Sequence, residues 1–139
     1  MENYESVLTA MNTKDGDALR AALANGAHDA ASSVPVTVLT GLLLEHWHDM
    51  HEDIVFELGL IGDSAAVDTI RSAASIPFES LVRWGNLPAF QRKCAYALAR
   101  IASEESRRAL ELLAESDDSQ LREYALEGLD HWPLPYRKG

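Results

Sequence analysis

A helical segment recurs three times along this chain: Met50-His51-Glu52-Asp53-Ile54-Val55-Phe56-Glu57-Leu58, Phe90-Gln91-Arg92-Lys93-Cys94-Ala95-Tyr96-Ala97-Leu98 and Leu121-Arg122-Glu123-Tyr124-Ala125-Leu126-Glu127-Gly128-Leu129. Each copy opens on an apolar residue, carries a compact pair at its fifth and sixth places and Leu at its ninth, and reaches a large apolar residue at its twelfth (Ile61, Ile101, Trp132). A self-similar period of this length signals stacked helix pairs, so the pattern predicts an all-α fold built as a short α-solenoid. The last two copies begin 31 residues apart and the first two 40 apart, which places an insertion between them at about 75–88. A short solenoid buries its core between repeats and leaves long faces free, so binding a partner is expected ahead of chemistry.

The 139 residues suit a single domain, 1–139, with enough chain to bury a core. Cys94 is the one cysteine, so no internal disulfide forms and a reducing compartment is expected. No basic start followed by an apolar run opens the chain, and the longest strongly apolar stretch, 34–44, is too short to span a bilayer. A cytoplasmic protein without membrane contact is the expectation. The net charge of −10 is unevenly placed: residues 1–70 hold 12 acids against Lys14 and Arg20, whereas 71–139 hold 10 acids and 10 bases. That polarity steers basic partners and repels phosphate backbones, which argues against nucleic acid as a ligand.

Seven or eight helices are expected. Val7, Leu8 and Met11 share a face of an opening turn or two, and Asp15 stands where an N-cap starts a helix through Leu19, Ala22 and Leu23, ended by Asn25-Gly26. Ser32, Ser33 and Pro35 mark the next start, and Val38, Leu39, Leu42, Leu43 and Trp47 form the inward stripe of a helix running to about His46. A helix over about 49–61 turns at Gly62-Asp63-Ser64 into a mate with Val67, Ile70 and Ala73 or Ala74 inward. The insertion carries two prolines and a glycine, yet Phe78, Leu81, Val82 and Trp84 make it too apolar for a plain linker. Helices at about 88–101 and 103–115 follow, the second read from Glu105, Ala109, Leu110, Leu112 and Leu113. Ser116-Asp117-Asp118 caps a last helix that Pro133 and Pro135 stop.

Residues 94–105 and 121–126 resemble HEAT-like repeats of the phycobilin-lyase type, and the likeness covers about 45–132. It implies a right-handed solenoid of HEAT-like antiparallel helix pairs, and it is specific for architecture rather than activity. A narrower likeness rests on Trp47-His48-Asp49-Met50-His51-Glu52-Asp53-Ile54-Val55 with Arg92-Lys93-Cys94-Ala95-Tyr96-Ala97-Leu98-Ala99. These stretches resemble small acidic bacterial proteins that include immunity partners of polymorphic or contact-dependent toxins. The resemblance implies a cognate toxin domain as partner. A basic toxin, such as a nuclease, matches the charge split.

The stretch 45–53 holds three of the five histidines, and His48 and His51 would share a helical face if the helix already includes His48. It straddles an inter-helix turn, where His and Asp cap helix ends, and it lacks His-Glu-x-x-His. Capping, packing and partner contact are favoured over a metal, and neither metal nor cofactor is expected. Adjacent acids such as Glu52-Asp53, Glu104-Glu105 and Asp117-Asp118 point in different directions on a helix and complement its dipole, so no catalytic residue is assigned. Cys94 aligns with Ile54 and Ala125 and is expected in the core. Trp84, beside Arg83, is either an interface anchor or a plug between repeats. The expected partner-binding set is Glu45, His48, Asp49, Glu52, Asp53, Asp63, Arg83 and Trp84. The rival expectations are a general scaffold or regulatory adaptor, and an enzyme acting on a tetrapyrrole.

Overall fold

The computed structural model describes residues 2–25 and 34–134. Among them the fold is all-α, with nine helices: α1 (Glu2–Thr13), α2 (Gly16–Asn25), α3 (Val36–Leu43), α4 (His51–Ile61), α5 (Val67–Ala74), α6 (Glu79–Arg83), α7 (Leu87–Ile101), α8 (Glu104–Leu113) and α9 (Ser119–His131). The helix beyond the expected eight is α6, which the insertion's own apolar residues make possible: Phe78 and Leu81 are buried and fasten it to the body. No helix among the described residues is long and apolar enough to cross a membrane. Ser32 and Ser33, expected to start α3, and Gly26, expected to end α2, lie outside the described residues.

The three recurring segments form α4, α7 and α9, and α7 packs on α4 on one side and on α9 on the other. Their mates α5 and α8 also touch each other, and α3 covers α4 and α5. The repeat register explains the contacts. First-place Met50, Phe90 and Leu121, fifth-place Ile54, Cys94 and Ala125, and ninth-place Leu58 and Leu98 are all buried in one continuous core. Close approach needs small residues at two points. A methyl on Gly59 would lie 3.1 Å from Ala97 Cα, and one on Gly128 would lie 2.9 Å from Leu110 Cδ2 and 3.1 Å from the Ala95 carbonyl.

The same local chemistry turns the chain after each first helix. Gly62 (φ 73°) and Ala102 (φ 57°) are the left-handed C-caps of α4 and α7, and each returns its N–H to the carbonyl four residues back, Leu58 or Leu98. The residues that follow cap the next element. Asp63 accepts from Ala65 N, and Ser103 forms a capping box with Ser106. Ser64 Oγ then joins the two turns, 3.0 Å from Ser103 Oγ and 2.8 Å from Glu105. That bond holds the Glu105 carboxylate below its usual range. Trp132 closes the edge by donating from Nε1 to Ser106 Oγ at 3.2 Å. Asp15 and Asp118 cap α2 and α9 as their spacing implies.

Four apolar residues depart from the expected inward pattern. Leu8 of α1 is exposed, whereas Val7 and Ala10 are buried. Leu112 is exposed because α8 buries Ser106, Ala109, Leu110 and Leu113 instead. Leu126 is exposed at the repeat place where Ala95 meets Gly128 of α9, and none of the described helices follows α9 to cover it. Val82 projects from α6 into solvent. Finally, α3 ends at Leu43, three residues before His46.

Candidate functional site

The last carbonyls of a helix need donors. At the end of α3 His48 supplies one, and His51 supplies a donor to Glu45, two residues beyond the helix. His48 Nε2–H donates to the Leu42 carbonyl at 2.6 Å while its Nδ1 accepts from Met50 N–H at 3.0 Å, which fixes a neutral ring. His51, the first residue of α4, donates from Nε2 to the Glu45 carbonyl at 2.7 Å, and its Nδ1 is buried without a partner. Two rings, one from the loop and one from the first residue of α4, thus bond back to the stretch of chain that ends α3 and leaves it. His48 stands outside α4, so the two imidazoles are brought together by stacking, 4.3 Å between centroids, rather than by a shared helical face.

Phe78, from the insertion, completes the pile. It stacks on His51 at 3.9 Å and lies 4.9 Å from the His46 ring, and Phe90 meets both His51 and Phe78 edge-on. Burial pushes the His51 pKa down to about 4, against the raising influence of its carbonyl bond. Burial also lowers His48, outweighing its bond to Leu42. An imidazole acting as a base needs an open nitrogen, and His48 has both bonded while the remaining nitrogen of His51 is buried.

This rigid loop forms one wall of an open cleft of about 670 Å³. A second wall is the α1–α2 turn with Arg20, and the third is α6 through Glu79, Ser80 and Arg83. The turn sits tightly on the loop, since a methyl on Gly16 would lie 3.3 Å from the Trp47 carbonyl. Arg20 pairs with Asp49 and, at 3.5 Å, with Asp17, while Arg83 pairs with Glu79 one turn earlier. Asp15 also lines the cleft. On the outer side of α6, Trp84 is 72 % exposed and Val82 54 % exposed.

The expected residues divide accordingly. Asp49 and Arg83 both line the cleft, and His48 supports its wall from within, being 3 % exposed with its ring bonded internally. Glu45 and Asp53 are exposed and do not line the cleft. Glu52 is half-buried and reaches Lys93 of α7 at 3.4 Å, so it ties two helices together. Asp63 lies at the opposite end of α4, a helix of 11 residues, and so belongs to another edge of the molecule. Trp84 projects outward and plugs no gap. Cys94 is fully buried, and burial pushes its thiol pKa up, away from nucleophilic use. Among the described residues no three of His, Cys, Asp and Glu converge as metal ligands.

Sequence reasoning missed Asp15, Asp17, Arg20, Glu79 and Ser80. The cleft draws on segments about 30 residues apart, with no common period to link them. Comparison with family models, with curated proteins and with solved structures finds no match.

Proposed function

We propose that this chain is a cytoplasmic, non-enzymatic protein-binding module, an immunity protein that neutralises a cognate toxin domain by covering it. The observation that carries the reading is the placement of Trp84 and Val82, both exposed, on the same short insertion that walls a charged cleft of about 670 Å³. Trp and Arg are the usual anchors of protein interfaces. Four acids (Asp15, Asp17, Asp49 and Glu79) line the cleft against three bases (Lys14, Arg20 and Arg83), an excess of one negative charge, and Glu45 and Asp53 are exposed on the neighbouring stretch of chain, so the balance leans toward a basic partner. The step from protein binder to toxin immunity rests on the resemblance of residues 47–55 and 92–99. The alternation of first helices α4, α7 and α9 with mates α5 and α8 supports reading the fold as a HEAT-like solenoid, whose right hand rests on the resemblance alone.

The test is co-purification of the tagged protein with the C-terminal domain encoded immediately upstream in its native genome, at low and high salt. A stoichiometric complex that protects cells from that domain is expected. Trp84→Ala should weaken the complex by roughly tenfold or more. Asp49→Ser should slow association and reduce its salt dependence. Absence of a complex at low salt, with several unrelated cellular proteins recovered instead, would favour a general scaffold.

A further inference from the structure

A second concave surface shares no residue with the cleft and reverses its charge. It lies between α4 and α7, with Phe56, Tyr96, Ala89 and Ala97 as its apolar surface and Arg92, Lys93 and Arg100 around it. No carboxylate lines it, although the whole chain carries −10. The two aromatics occupy the seventh place of their repeat copies, so the stacking of α7 on α4 sets their rings along one groove. Phe56 is 49 % exposed.

We propose that this groove docks an acidic peptide segment of a partner protein, one aromatic side chain entering between Phe56 and Tyr96 while flanking carboxylates meet Arg100, Arg92 and Lys93. The groove holds about 250 Å³, room for a single anchoring side chain. Its cations are held in place before anything binds. Arg92 is fixed by Glu127 at 2.8 Å and lies over the Tyr96 ring at 5.2 Å, and Lys93 reaches Glu52. Arg100 packs its Cδ beside Gly59, 3.6 Å from where a methyl there would lie. A planar guanidinium next to an aromatic face offers a carboxylate a charged hydrogen bond and an aromatic ring a stacking partner. The overall negative charge excludes long polyanions, so a short segment with few acids is the fitting occupant.

The test uses the intact protein and a capped peptide with one tryptophan between glutamates, followed by amide chemical shifts and fluorescence anisotropy. Saturable shifts confined to the amides of Phe56, Ala89, Tyr96, Ala97 and Arg100 are expected. Arg100→Gln should weaken binding by roughly two- to fivefold, the range of one exposed charge contact. Phe56→Ser, at a half-exposed position that the fold tolerates, should weaken it by about tenfold. Shifts elsewhere or absent, equal binding of a lysine-flanked peptide, or indifference to both variants would overturn the proposal. So would a free aromatic carboxylate binding as tightly as the peptide. The same shifts appearing on concentrating the protein alone would also overturn it, by making a second copy the occupant.

Discussion

Acidification below pH 6.5 should destabilise this protein through His51. The ring is fully buried, its Nε2–H is committed to the Glu45 carbonyl, and a proton added at Nδ1 would meet no acceptor. The folded-state pKa is lowered from 6.5 to about 4, so as pH falls the unfolded chain takes up the proton first. Stability is therefore intact above pH 6.5 and is lost progressively as pH drops toward 4. A gap of this size removes about 2 kcal/mol at pH 5 and about 3 kcal/mol once both states are protonated. His48, also lowered, adds loss of the same sign. Glu105 and Glu127 are held below their ordinary range, so their contributions fade only at lower pH and leave the window between pH 6.5 and 5 to the imidazoles. Urea unfolding followed by far-ultraviolet circular dichroism at pH 7 and pH 5 measures the loss. His51→Phe keeps the stack on Phe78 and removes the titration. It should be within about 1 kcal/mol of the parent at pH 7, where one hydrogen bond is lost, and more stable than the parent at pH 5. Equal losses in parent and variant between these pH values would refute the assignment of the acid sensitivity to His51.

Ala102→Gly should raise stability by roughly 0.5–1 kcal/mol, because φ 57° strains a Cβ and the equivalent place in the preceding copy is Gly62; thermal melts would register it. Gly128→Val should cost about 2 kcal/mol or more, since its first carbon alone would lie 3.1 Å from the Ala95 carbonyl, and an unchanged midpoint in urea would contradict that packing. Ser106→Ala removes the capping box and the partner of Trp132 together, for a loss of about 1–2 kcal/mol. A shift in tryptophan emission should accompany that loss, because Nε1 gives up its acceptor.

The repeat made most of the fold legible. Places one, five and nine are buried in nearly every copy because a helix sandwiched between two others presents the same inner face each time. The misread residues sit where that sandwich is incomplete. Leu126 and Leu112 have the right residue type and period, but periodicity does not say whether a neighbour arrives to cover a face. Gly62 announced its turn, whereas Ala102 did so only through alignment with it, since alanine carries no left-handed preference. In the candidate site, the histidines were legible as cap and packing residues, and their backward reach to the Leu42 and Glu45 carbonyls, one in the preceding helix and one just past it, was not. The insertion was legible as ordered. That Phe78 would enter and Trp84 leave the body depends on the direction of α6, which a single turn of sequence does not encode.

The imidazole bonds from His48 and His51 to the Leu42 and Glu45 carbonyls also determine when the loop's disorder is given up. Loops ordinarily retain motion until a partner orders them, and that ordering subtracts from affinity. Here the rings immobilise the cleft wall during folding itself, so association over it should proceed as a rigid-body event. Its heat-capacity change should reflect the contact area alone, with no added signature of a segment folding on its target.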